Sequence, residues 1–272
     1  MSIWYFSILK RGGEELISNN TSQGNYVKIP RHVIESNYDN PLALLVFSCL
    51  YIHRGLNDIA NTSILQLIRE CGYKPDKHKG KIYDRIIYVL EDFKACGYIE
   101  YESLDLKRGN SLIEISINSS CFDSPSSFAI IWLHELEKIQ LQNTIKQKVK
   151  PEYLILLLSY MRVNKMRRQK YDDIQRHPEI FYKHQKIISQ DIFLSYTTLR
   201  RCIETLEQLN IIATAPIDRF RDPNGKWHTN VTVFVDKYDG WEVEIKNGIR
   251  LLKSMGSIMK NKTDNKHIEC KN

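Results

Sequence analysis

Residues 40–54 (NPLALLVFSCLYIHR) are apolar on nearly every side of a helix, the pattern of a helix that runs through the middle of a core. Residues 55–58 break it. Thr62 or Ser63 is then placed to cap a short helix carrying Ile64, Leu65, Leu67 and Ile68, which ends at Cys71-Gly72. A polar turn over residues 73–80 leads into a third helix, where Ile82, Ile86, Val89, Leu90 and Phe93 recur at helical spacing. Gly97 stops that helix. Two alternating runs, residues 98–102 and 112–117, flank residues 105–110, whose Gly109-Asn110 suits a hairpin tip.

The second half repeats this order. Residues 151–163 (PEYLILLLSYMRV) form another strongly apolar helix, with Pro151 near its start. Residues 188–193 predict a short helix, and Leu194-Ser195-Tyr196 a turn. Residues 197–209 predict a third helix with a core stripe at Leu199, Cys202 or Ile203, Leu206 and Leu209. Asn210 stands where the first copy has Gly97, and Ile211-Ile212 where it has Tyr98-Ile99. Two strands flank the turn-forming residues 221–226, and the second, residues 227–235, alternates well. Upstream of the two apolar helices, residues 26–29 and 128–131 each precede a short helical run. Four shared elements in one order indicate a repeat of whole modules. The expected fold is mainly α with small β-hairpins, as two tandem winged helix-turn-helix domains. The first covers residues 26–122; the second covers residues 126–259, with an insertion at 164–186. The polar residues 123–127 separate them, residues 1–25 form an N-terminal arm, and residues 260–272 a flexible tail.

Of the 272 residues, 42% are hydrophobic and 26% charged, the balance of a folded chain. No apolar run reaches the roughly 20 residues of a membrane span, and residues 3–9 are apolar without a preceding basic residue, a poor signal peptide. Six cysteines, at 49, 71, 96, 121, 202 and 270, show no CxxC and no zinc-finger spacing, so reduced thiols and a cytoplasmic location are expected. The net charge of +7 is lopsided. Residues 1–125 hold 14 Lys and Arg against 15 Asp and Glu; the totals of 39 and 32 leave 25 against 17 for residues 126–272. A basic half suggests a polyanionic partner.

No P-loop, GxGxxG, HExxH or GxSxG occurs, so neither catalysis nor a cofactor or metal is expected. A tyrosine nucleophile would need a metal-binding His pair or a basic constellation; His177 and His184 with Asp172 and Asp173 are the nearest approach and match no such spacing. The third helix of a helix-turn-helix presents its polar face to the major groove. In the second module that face holds Tyr196, Thr197, Arg200 and Arg201; in the first it holds Lys81, Arg85 and Tyr88, preceded by Lys79. Hairpin tips commonly meet the DNA backbone, which selects Arg219, Arg221, Lys226 and His228 in the second module and Lys107 and Arg108 in the first. Arg162, Lys165, Arg167, Arg168 and Lys170 form the densest basic run, with phosphates as natural partners. The competing reading of each set is a solvated, charged surface.

Residues 188–192 (ISQDI), 195–201 (SYTTLRR) and 206–212 (LEQLNII), within an architecture spanning about residues 26–236, resemble the tandem winged-helix replication initiators of plasmids and related mobile elements. The resemblance implies sequence-specific binding to double-stranded DNA at origin repeats, with the C-terminal module making the main contacts. It implies that the N-terminal module serves dimerisation or a second half-site, and that replication proteins are partners. A transcriptional regulator using the same modules is the alternative, and a protein-only adaptor a third class.

Overall fold

The computed structural model describes residues 26–55, 57–75, 81–102, 109–118, 128–165, 179–221 and 227–253. The first half runs β1 (Tyr26–Pro30), α1 (Arg31–Glu35), α2 (Leu42–His53), β2 (Ile59–Thr62), α3 (Ile64–Glu70), α4 (Lys81–Ala95), β3 (Ile99–Glu100) and β4 (Ile113–Ile117). The second runs β5 (Phe128–Trp132), α5 (Leu133–Leu141), α6 (Pro151–Asn164), β6 (Phe181–His184), α7 (Gln185–Asp191), α8 (Tyr196–Gln208), β7 (Ile212–Arg221) and β8 (Trp227–Asp236). A further helix, α9, covers residues 241–253. The fold is thus a mixture of helices and small antiparallel sheets. The halves repeat in topology as well as order, with sheets β2-β4-β3 and β6-β8-β7.

Local chemistry accounts for the boundaries. Ser63 Oγ accepts a hydrogen bond from the Gln66 amide at 3.2 Å, and Ser195 Oγ accepts from the Thr198 amide at 3.1 Å, so both serines cap their helices. Gly97 (φ 72°) and Asn210 (φ 55°) close α4 and α8 in the left-handed region, where glycine and asparagine are the tolerated residues.

The expected division between residues 122 and 126 runs between two strands that pair. β1 and β5 form an antiparallel ribbon with Tyr26 opposite Trp132 and Pro30 opposite Phe128. Val27, Ile29, Ala129 and Ile131 point inward from it, and one apolar cluster joins both halves through the central helices α2 and α6. A second cluster lies between the β6-β8-β7 sheet and α9, where Ile180, Val233, Ile245 and Leu252 are buried. α9 is not among the elements expected from the sequence, although Ile245, Ile249 and Leu252 carry a helical period.

The insertion is shorter than the expected 164–186. Asn164 is the last residue of α6, and residues 181–186 supply β6 and the start of α7; the added segment lies between Lys165 and Glu179. The helix expected from residue 188 begins at Gln185, because the His184 Nδ1 accepts from the Lys186 amide at 3.0 Å and caps it. The first strand of the first hairpin is shorter than residues 98–102, comprising Ile99–Glu100. The arm 1–25, residues 103–108 and 222–226, and the tail 260–272 lie outside the described residues. Among the cysteines, 49, 71, 96 and 202 are free, and Cys49 and Cys71 Sγ stand 3.9 Å apart in the core.

Arg162, on the last turn of α6, is buried. Nη1 and Nη2 donate to the two Glu135 carboxylate oxygens at 2.7 Å each, Nε donates to Asp236 Oδ1 at 2.8 Å, and Nη1 also reaches the Ile130 carbonyl at 2.6 Å. Lys165 donates to Glu179 at 3.2 Å and to Asp236 at 3.3 Å. Burial opposes ionisation of Asp236, but the adjacent Arg162 and Lys165 outweigh it and hold its carboxyl below the usual range. One guanidinium thereby ties β5, α5 and α6 to the end of β8. Replacing one partner of such a network strands the others. Arg162→Ala is expected to cost about 3–5 kcal/mol in urea unfolding, within a single transition reported alike by probes in either half.

Candidate nucleic-acid interface

The exposed side of α8 is built by subtraction. Leu199, Cys202, Ile203, Thr205 and Leu206 face the core, leaving Tyr196, Thr197, Arg200, Arg201 and Glu204 on the other side. The four residues expected from the sequence therefore share one solvent-facing surface, with Tyr196 49% exposed. Glu204, not among the residues expected there, sits in the same surface and draws Arg200 to 3.6 Å. That i,i+4 pair is exposed and weak, so a phosphate or guanine can displace it.

The turn before α8 is anchored from behind. Asp191, the last residue of α7, accepts from Lys183 Nζ of β6 at 2.6 Å and from the Tyr160 hydroxyl of α6 at 2.5 Å. Partial burial disfavours its charge, but those two donors and the lysine charge hold its carboxyl below the ordinary value. Behind the helices, β7 and β8 pair along their length: Arg219 lies opposite Thr229, His228 opposite Phe220, and Arg221 opposite Trp227. Arg219, Arg221 and His228 thus belong to the end of the hairpin away from the core cluster, and Lys226 lies outside the described residues, as do Lys79, Lys107 and Arg108.

The equivalent surface of α4 differs. Its core side is Tyr83, Ile86, Val89, Leu90 and Phe93, and its outer side carries Lys81, Asp84, Arg85, Tyr88, Glu91 and Asp92. Counting back from the matched stops Gly97 and Asn210, Arg200 and Arg201 correspond to Ile87 and Tyr88, and Thr197 to Asp84. Lys81 and Tyr88 (63% exposed) are free to meet a partner, whereas beyond the first turns the surface is acidic. Arg85 is not available in the way the sequence suggested. Its Nη2 donates to Glu152 Oε1 at 3.1 Å, joining α4 of the first half to the start of α6 in the second. The basic run at 162–170 is likewise reduced, because Arg162 and Lys165 are engaged internally; Arg167, Arg168 and Lys170 lie outside the described residues.

Among the described residues no three His, Cys, Asp or Glu side chains are arranged to hold a metal ion, and no helix is long and apolar enough to cross a membrane. No protein-family model matches the chain, and no curated protein matches it.

Glu152 is 1% exposed at its side chain, and its second oxygen is buried without a hydrogen-bond partner among the described residues. Burial raises its carboxyl to about 7 despite Arg85 at one oxygen. A carboxyl that holds its proton more tightly when folded stabilises the fold below the unfolded value near 4.5, and that contribution is lost as pH rises toward 7. Stability is therefore expected to fall by roughly 2–3 kcal/mol from pH 4.5 to 7.5 through this group. In Glu152→Gln that component is absent. Denaturant titrations of both proteins across the range check it, and equal pH slopes would contradict it.

Proposed function

We propose that this chain is a pair of fused winged helix-turn-helix modules that binds double-stranded DNA sequence-specifically, and that it serves as a replication initiator recognising origin repeats of a plasmid or related mobile element. The observation that carries the reading is the exposed surface of α8, with Tyr196, Thr197, Arg200 and Arg201 set immediately after a serine-capped turn. An arginine there can donate two hydrogen bonds to the O6 and N7 of guanine, while Thr197 suits a phosphate or a base edge. The β7–β8 strands pair as far as Arg221 and Trp227; in this reading Arg219, Arg221, Lys226 and His228 meet the DNA backbone, adding affinity without sequence preference.

The two modules divide the work. The surplus of basic residues falls in residues 126–272, and α8 offers arginines where α4 offers Ile87 and Tyr88. The first module uses Lys81 for an accessory DNA contact, while its acidic surface and Tyr88 face protein, either a second copy or a replication protein. No cofactor is invoked. A regulator of transcription would use the same contacts, so the biological role is separated by replication, not by binding.

Four measurements test the reading. Binding to duplex is expected to weaken steeply with salt, because each neutralised phosphate releases counterions. Arg200→Ala or Arg201→Ala is expected to cost about 1–3 kcal/mol on a selected site and little on random duplex, relaxing specificity. Lys81→Ala is expected to lower affinity for both by less than either arginine variant. A minimal plasmid carrying this gene with its flanking DNA is expected to replicate with the parent protein and to be lost with the double arginine variant. Binding confined to single strands, or indifferent to salt, contradicts the DNA reading; site binding without plasmid maintenance favours the regulator.

A further inference from the structure

The turns that end α3 and α7 have the same hydrogen bonds but not the same residue at the critical position. In the first half the Cys71 amide donates to the Leu67 carbonyl at 2.8 Å, Gly72 to Arg69 at 3.0 Å, and Tyr73 to Ile68 at 3.0 Å. In the second, Ile192 donates to Ile188 at 3.1 Å, Phe193 to Gln190 at 3.4 Å, and Leu194 to Ser189 at 3.0 Å. The middle residue is left-handed in both, at φ 80° for Gly72 and 51° for Phe193. Glycine takes that conformation without strain, whereas a bulky side chain there is an outlier. At Gly72 a side chain would also press on the Gln140 carbonyl and on Pro151. Phe193 is 72% exposed.

The flanking residues do the packing: Ile192 is buried, and Leu194 lies against the core as Tyr73 does in the first half. The Phe193 ring is therefore large, apolar, wet and held on a strained backbone, a combination that favours neither folding nor solubility. It stands three residues before Tyr196, next to the end of α8 that carries Thr197 and Arg200.

We infer that Phe193 is a specificity-determining residue whose ring makes apolar contact with the C5-methyl group of thymine in the major groove. Thymine is the one base that offers an apolar group there, and a ring at the mouth of the reading helix has nothing else in that groove with which to exchange water for contact. The strain at Phe193 is retained for this contact, since the first half shows that glycine completes the same turn. The inference rests on the DNA reading given above.

The experiment removes the methyl from one side and the ring from the other. Duplexes are selected from a random library with the full chain, and each thymine of the selected site is then replaced in turn by deoxyuridine. The parent protein is expected to lose about fourfold in affinity at one or two positions, the factor that corresponds to one buried methyl group. Phe193→Gly and Phe193→Ala are expected to bind the thymine duplex about fourfold more weakly and to show no further loss at those positions. Phe193→Gly is also expected to melt at least as high as the parent, because the ring leaves and the backbone relaxes. Deoxyuridine effects equal in parent and variants, or absent from both, overturn the inference. So does a Phe193→Gly protein that melts several degrees lower, or one altered only in oligomeric state, which would mark a packing or protein-docking residue. If no duplex is selected at all, the DNA reading falls first, and the role of Phe193 with it.

Discussion

A helix with no polar side has to be covered on every side. α2 is such a helix, buried at every position from Leu42 to Tyr51, and α6 is nearly so from Pro151 to Val163. A module of this size has too few elements to wrap a helix completely, and each half solves the problem by lending its central helix to the other. The β1–β5 ribbon closes over the pair, inserting Val27, Ile29, Ala129 and Ile131 from above. The cost of this arrangement is that the polar groups caught inside need partners from far along the chain. Arg162 finds them in Glu135, Asp236 and the Ile130 carbonyl, so its charge is compensated on every donor that leaves water.

What the sequence disclosed was what depends on neighbours a few positions away. The stripes of α4 and α8, the caps Ser63 and Ser195, and the stops Gly97 and Asn210 follow from helical period and side-chain chemistry, and the surface of α8 is the complement of its stripe. The pairing of Tyr26 with Trp132 leaves no local trace, because a strand's pattern records which side is buried and not which strand lies beside it. For the same reason Arg85, Arg162 and Lys165 read as surface charge until Glu152, Glu135 and Asp236 are seen to reach them from other elements. The start of α7 at Gln185 is not legible in the sequence because its cap is a histidine, a residue outside the usual capping set.

The repeat makes each half a control for the other. Where the backbone alone decides, the residues agree or exchange within the permitted set, as glycine and asparagine do at the ends of α4 and α8. Where the surface decides, they part: Asp84, Ile87 and Tyr88 against Thr197, Arg200 and Arg201, and glycine against phenylalanine at the preceding turn. The halves differ again in the length of the final hairpin and in α9, which follows the second sheet.

The β1–β5 ribbon also sets a timetable. Its first strand leaves the ribosome about a hundred residues before its second, an interval of roughly 5–20 s at ordinary rates of synthesis. Throughout that interval β1 lacks its strand partner β5, and α2, although packed against elements of its own half, lacks the cover that α6 supplies. The first half must therefore wait, sticky and incomplete, for the second to be made, and a translation pause placed before residue 128 would lengthen the period in which neighbouring nascent chains can pair with it instead.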